Sequence, residues 1–301
     1  MPEKESMAIL VGDNPFHGIS HLSQDRSRAR GSEINNVDYA SHLVMTAMEN
    51  GANGFMFSVS DTTLSILKAI RRKSAIRDFG LYAIVPYAYE YVRLATQLGG
   101  ISGLAKRVAK KVITSFDVKA MAIGLKGIAW TDLASLLKTY VLYEISRIRS
   151  ATGKQAFLDS VLLHEIITEM ALSLNLDWFF KSYIEFMPKL GIRPGFETRN
   201  FAYLVEKFKE WNIDFSQITI ASPFNKIGFQ MNPSRIKCEE ALSGVTGSKV
   251  IAMSILAAGY LRPYEAMDYV LALPNLNGVV LGVSKEHHAR ETFKLLKSRF
   301  E

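Results

Sequence analysis

Short apolar runs of strand type alternate along the chain with longer stretches whose apolar residues recur at helical spacing. Eight such pairs can be placed. The runs are Ala8 to Val11, Gly54 to Val59, Gly80 to Val85, Phe157 to Leu163, Arg193 to Phe196, Gln217 to Ala221, Lys249 to Ser254 and Gly278 to Gly282. They are nearly continuous rather than alternating, which is the pattern of parallel strands covered by helices on both faces.

The stretches between them are amphipathic. Val37, Ala40, Leu43, Val44, Ala47 and Met48 form one stripe; Phe201, Leu204, Val205, Phe208 and Trp211 form another. Asn36 and Asp61 stand at N-cap positions, and Pro263 falls in a favoured first turn. Strand and helix repeated eight times predict an α/β fold, a (β/α)8 TIM barrel in one domain over residues 1–301. A doubly wound sheet is the alternative, and no glycine-rich dinucleotide turn follows the first strand to support it.

One connection is too long. Between Pro86 and Phe157 lie about seventy residues where a repeat needs about thirty. The excess reads as a third helix plus a helical insertion over residues 104–153, between the third and fourth strands and beside the barrel mouth.

In such barrels the residues just beyond the carboxyl ends of the strands line the active site. Strand one is followed by Asp13, Asn14, His17 and His21, strand two by Ser58, Ser60 and Asp61, and strand three by Tyr87, Tyr89 and Glu90. Strand four offers His164 and Glu165, strand five Glu197, Arg199 and Asn200, and strand six Ser222, Asn225 and Gln230. Ser254 and Tyr260 follow strand seven, and Ser284 and Lys285 follow strand eight.

His164 carries the clearest signal, because an apolar run broken only by Asp159 and Ser160 leads straight into a His-Glu pair. An imidazole there can exchange protons near neutral pH. The expected catalytic set is His164, Glu165, Tyr87 and His17, with Asn14, Glu197, Arg199 and Asn225 holding substrate. Arg26, Arg28 and Arg30 could clamp an anion or simply solvate their loop. A metal shared by His17, His21, His164 and Glu197 lacks any H-x-x-x-H or CxxC spacing, and none is expected. His42, His287 and His288 read as surface residues.

From His164 onward the chain resembles the aldo-keto reductase superfamily. Asp159-Ser160-Val161-Leu162-Leu163-His164 is similar to that family's fourth strand with its active-site histidine, and Thr198-Arg199-Asn200-Phe201 to its Ser-Asn-Phe turn. Ser222-Pro223-Phe224-Asn225 is similar to the Pro-Tyr-Asn turn. Val250 to Leu261 and Val280 to Glu291 are similar to the last two strands with their cofactor loops. The resemblance implies a carbonyl-reducing barrel that binds NADP or NAD through Asn200, Ser254, Leu256, Gly282, Ser284, Lys285 and Glu291.

It also implies an Asp-Tyr-Lys-His tetrad, of which only His164 is present. Phe57-Ser58-Val59-Ser60 stands where the family has Asp and Tyr, and Val85-Pro86 where it has Lys. Tyr87, Tyr89 and Tyr260 are the candidate replacement acids. The family's carboxamide-binding glutamine is Ala221, and its Glu-Asn is Glu291-Thr292. Three functions stay open: a nicotinamide-linked oxidoreductase with a non-standard catalytic set, a non-redox His/Glu lyase, isomerase or hydrolase, and an inactive binding or assembly protein.

Composition changes the picture in two places. A single cysteine, Cys238, permits no intrachain disulfide, which suits the cytoplasm. No apolar leader or span of 18 residues is read in the chain. The net charge of +7 is concentrated: residues Leu104 to Lys154 hold ten basic and three acidic side chains, so the rest of the chain is balanced. Apolar residues share those helices, which favours a lid or a homo-oligomer contact over nucleic acid or membrane. The expected partner is a small-molecule substrate.

Overall fold

The computed structural model describes residues 7–17, 36–73, 79–87, 133–153 and 156–300. In chain order the elements are β1 (Ala8–Gly12), α1 (Val37–Glu49), β2 (Gly54–Ser58), α2 (Asp61–Lys73), β3 (Gly80–Val85) and α3 (Leu133–Thr152). Then come β4 (Leu158–Leu163), α4 (Glu165–Ser173), α5 (Asp177–Phe186), β5 (Arg193–Glu197), α6 (Phe201–Glu210) and β6 (Thr219–Pro223). The chain ends with α7 (Arg235–Ser243), β7 (Lys249–Met253), α8 (Pro263–Leu271), β8 (Gly278–Gly282) and α9 (Glu286–Phe300). All eight strands are parallel and close into a barrel, β8 pairing with β1 from Ala8↔Gly278 to Gly12↔Gly282.

Two apolar layers result. Ala8, Leu10, Met56, Tyr82, Leu162 and Ile251 lie in the cluster that fills the barrel interior. The larger layer lies between the strands and the helices, and there the predicted stripes bury Leu43, Val44, Leu204, Val205 and Phe208 completely or nearly so. Aromatic packing dominates one sector: the Phe180 ring lies 5.4 Å from Phe196, 5.1 Å from Phe208 and 5.6 Å from Trp211, joining α5, β5 and α6. The buried Tyr183 hydroxyl donates to the Val161 carbonyl at 2.7 Å, so α5 is tied to β4 by a directional bond as well.

The polar break in the fourth run has a physical cause. Leu158 pairs with Leu81 and Ser160 with Tyr82, so Asp159 is the extra residue of a bulge. Its carboxylate accepts from Lys249 Nζ at 2.8 Å and from the Tyr82 hydroxyl at 2.9 Å, an ion pair near the amino-terminal end of the barrel. A near-buried lysine at the start of β7 is thereby neutralised.

Helix starts follow the expected chemistry with one correction. Asn36 Oδ1 accepts from the Asp38 and Tyr39 N–H groups, and Pro263 opens α8. At α2 the cap is Ser60, whose hydroxyl accepts from Thr63 N–H at 3.1 Å. Asp61 instead lies one residue inside the helix, where its exposed carboxylate meets Arg147 of α3 at 2.7 Å. The β6 run is displaced two residues toward Pro223 because Phe215–Gln217 forms a 3-10 turn before it.

The expected insertion is described only over its last part, and residues 104–132 lie outside the described residues. The last part is α3, which packs against α2 and α5 and places Val141, Ile145, Ile148 and Ala151 in the main core. Arg147 joins the buried Glu144 at 2.8 Å to Asp61, which raises the affinity of that guanidinium for its proton although burial works against it. No helix among the described residues is long and apolar enough to cross a membrane.

At β5 a side chain cannot be added without displacing the interior. A Cβ on Gly195 would lie 2.6 Å from Leu162 Cγ and 2.8 Å from Ser160 Oγ. Gly195→Ala is therefore expected to destabilise the barrel by about 1–3 kcal/mol through overpacking, read as a lowered urea midpoint at unchanged m-value.

Candidate functional site

The carboxyl ends of β1, β4 and β5 bring six ionisable side chains to the mouth, Asp13, His17, His164, Glu165, Glu197 and Arg199. Asp13 follows β1 and is buried; its Oδ2 accepts from the Ser58 N–H at 2.7 Å and meets His17 Nε2 at 3.1 Å. The 3-10 turn Asn14–His17 sets that spacing, with Phe16 fully buried as its anchor. The His17 ring lies 4.9 Å from the ring of Tyr87, so the first and third loops meet.

His164 follows β4 and caps α4. Its Nδ1 accepts from the Ile166 N–H at 3.2 Å, so in the neutral ring the proton sits on Nε2. Burial, with the Arg199 charge adding to it, pushes its pKa down to about 4. The imidazole is neutral at physiological pH and can donate from Nε2.

Glu197 closes β5. The Glu165 N–H donates to its Oε2 at 3.3 Å, which leaves Oε1 to carry a proton. Burial is the largest influence on this carboxyl, the charges of Glu165 and Asp13 reinforce it, and Arg199 and the Glu165 N–H oppose it; the net result is a pKa of about 8. Burial also raises Glu165, against the opposing pull of Arg199. Arg199 Nε reaches Glu165 Oε2 at 2.6 Å. The guanidinium expected to hold substrate is thus already paired.

Glu169, one turn further along α4, organises this wall. Its Oε1 accepts from Thr198 Oγ1 at 2.6 Å, Arg199 N–H at 3.0 Å and Asn200 N–H at 3.2 Å, while Oε2 accepts from Asn200 Nδ2 at 2.9 Å. A carboxylate with four donors locks the turn after β5 and aims Arg199 at Glu165. Glu165, Ile166, Glu169, Met170, Arg199 and Asn200 border a cleft of about 550 Å³ between α4 and the start of α6. Sequence reading passed over Glu169; its i, i+4 position relative to Glu165 was the available signal.

Other expected site residues are placed differently. Asn14 is exposed at the rim. Asn225 is fully buried and exchanges hydrogen bonds with the backbone of Phe229 at 2.7 and 2.8 Å, so it shapes the loop after β6. Ser254 has a φ of 51°, a left-handed residue whose carbonyl receives the Ala257 N–H, and Leu256 is half-buried in the same loop. Gly282 faces Pro15, since a Cβ there would lie 2.7 Å from that ring. The Ser284 carbonyl receives the Tyr39 hydroxyl at 3.3 Å, and Lys285 and Glu291 are exposed. His42 stands 3.4 Å from Glu286, and the exposed His287 and His288 rings pack on each other. His21, Arg26, Arg28, Arg30, Tyr89 and Glu90 lie outside the described residues.

The nicotinamide positions do not fit at the carboxamide end. Asn200 turns its amide donor to Glu169, and Ala221, where the family resemblance places a glutamine, is buried and apolar. Among the described residues no group of three or more His, Cys, Asp or Glu side chains could hold a metal ion.

Comparison with known proteins defines the class of fold. The chain superposes over 98% of its length on a provisionally assigned aldo-keto reductase from Pseudomonas aeruginosa, covering 92% of that chain at a TM-score of 0.59 and 11% identity. It matches an aldo-keto reductase from Bacillus halodurans, solved in its holo form, with a TM-score of 0.58, 12% identity and coverage of 98% and 91%. An aldo-keto reductase from a deep-sea metagenome library gives 0.51 at 8% identity over 88% and 86%. The fold is the aldo-keto-reductase-like barrel. No family model and no curated protein matches the chain.

Two predictions follow from the charge arrangement. Glu169→Ala is expected to cost about 2 kcal/mol, because donors to a charged acceptor lose it; chemical denaturation measures this. His164 favours its neutral form in the fold, so its stabilising contribution is complete above its ordinary pKa of 6.5 and is lost as pH falls through about 4. Glu197 favours its protonated form, so its contribution is complete below 4.5 and is lost as pH rises through about 8. The two effects cancel between 4.5 and 6.5, and stability should then decline toward pH 8. Glu197→Gln should abolish that alkaline decline in a thermal-melt series.

Proposed function

We propose that the barrel mouth is the acid–base site of an enzyme acting on a small polar or carbonyl compound. Glu197 supplies the proton and neutral His164 donates a hydrogen bond from Nε2 to the same substrate oxygen. The observation that carries this reading is Glu197 itself: a carboxyl at the end of a barrel strand, held protonated at neutral pH by burial and by the flanking charges of Glu165 and Asp13. A carboxylic acid with a pKa near the working pH is an efficient proton donor, whereas a phenol with a pKa of about 10 needs a neighbouring cation to act there.

Glu165, Arg199 and Glu169 are positioning residues in this reading. They set the electrostatic balance around Glu197, and the adjoining cleft admits a small compound with both polar and apolar parts. The reaction class is proton transfer, as in a lyase or isomerase. The reducing cytoplasm suits a chain whose one cysteine, Cys238, is buried.

The likeness to aldo-keto reductases favours a second reading, nicotinamide-linked reduction of a carbonyl compound. The engagement of Asn200 by Glu169 argues against it. A fluorescence titration of NADPH with the protein separates the two: no quenching is expected, and saturable quenching would favour the redox reading.

The acid role is tested by turnover. In a screen of small carbonyl compounds followed by NMR, Glu197→Gln should lower kcat by about 100-fold or more, the usual contribution of a general acid, with KM little changed. A folded Glu197→Gln protein with undiminished kcat would refute the assignment.

A further inference from the structure

We infer that Asp13 and His17 form the general base of the mouth, working opposite Glu197 on a small carbonyl compound that bears a hydrogen on the carbon beside its carbonyl. The inference rests on the acid role of Glu197 proposed above and adds the second proton-transfer group and the substrate class.

Four observations carry it. First, one oxygen of Asp13, Oδ2, is fixed by the Ser58 N–H at 2.7 Å and meets His17 Nε2 at 3.1 Å, with both side chains almost fully buried. A carboxylate that holds Nε2–H leaves Nδ1 as a bare lone pair, the form of imidazole that removes protons. Second, the bond from Nε2 to Asp13 is the one hydrogen bond of this ring among the described residues, so Nδ1 is not engaged by them. An imidazole nitrogen left without a protein donor is available to a group that approaches it.

Third, the turn is closely packed. Phe16 is buried on one side, the Tyr87 ring packs on His17, and Pro15 is wedged against Gly282 where a Cβ would lie only 2.7 Å away. Fourth, the strand order β1 to β8 around the closed barrel places β1 and β5 diametrically opposite. Asp13 and Glu197 thus approach the mouth from opposite strands, near enough for the Asp13 charge to help retain the Glu197 proton.

The step is balanced without a co-reactant. His17 Nδ1 takes the proton as the α C–H bond breaks, and its electron pair forms the new C=C bond. The carbonyl π electrons move onto oxygen, which takes the proton from Glu197 and gives an enol. Asp13 stabilises the imidazolium. Return of a solvent-exchanged proton from His17 to carbon completes an exchange cycle.

The experiment uses the whole protein with hydroxyacetone in D2O and no dinucleotide, following loss of the C–H signals by proton NMR. Wild type should exchange the α protons faster than buffer, and His17→Gln should slow that exchange by about 100-fold or more. Asp13→Asn, which keeps the shape but not the charge, should slow exchange and move its pH profile, an effect that a merely structural role would not produce. Wild-type exchange no faster than buffer overturns the inference, as does a folded His17→Gln protein exchanging at the wild-type rate. Loss in Glu197→Gln with retention in His17→Gln would remove the base and leave the acid; the reverse pattern would remove the acid and uphold the base.

Discussion

Closure of eight parallel strands is the constraint on which the rest of the molecule depends. A closed barrel leaves no unpaired edge, but every inward side chain must then share one small volume with seven neighbouring strands. The chain meets this by opposing large and small residues: Leu10 fills the space beside Gly54, Leu162 that beside Gly195, and Ala8 packs on Gly278. At the amino-terminal end the Asp159, Lys249 and Tyr82 group completes the fill with mutually satisfied polar atoms. With the interior solid, the carboxyl-end rim is where side chains remain available for chemistry.

At that rim the decisive feature is the uneven distribution of charge. Glu169 is fully occupied by donors, and Glu165 and Arg199 neutralise each other. Glu197 is left as the carboxyl with the weakest compensation, and burial keeps its proton. His164 has the opposite problem, since burial beside a guanidinium forbids a second proton. One wall therefore supplies a neutral acid and a neutral donor at the same pH, through environment rather than residue type.

The parts legible in sequence were those governed by periodicity and local capping. Apolar runs located all eight strands, and the stripes of α1 and α6 are buried as expected, because backbone spacing alone decides which residues share a face. His164 and Glu197 were visible because the strand ends expose whatever follows them. The cap at Ser60 was misread as Asp61, since a Ser followed by an Asp offers two hydroxyl- or carboxylate-bearing candidates and only the backbone geometry chooses. Long-range pairings left no linear trace: Glu169 lies 29 residues from Thr198 and Lys249 lies 90 from Asp159. Asn200 shows the same limit from the other side, for its position matches the resembled turn while its partner, Glu169, diverts it.

The relation to aldo-keto reductases is best understood at the level of the scaffold. A barrel constrains the directions in which strand ends project, and it leaves the chemistry of those ends free. Here β2 ends in Ser58, whose backbone N–H, rather than a side-chain acid, supports Asp13 from β1. The carboxylate held there is Asp13, and the imidazole it meets is His17 of the following turn. One barrel fold can therefore carry different ionisable groups at its rim. The mouth is therefore read more securely from the charge balance around Glu197, Asp13 and His17 than from the positions used in proteins that share only the fold.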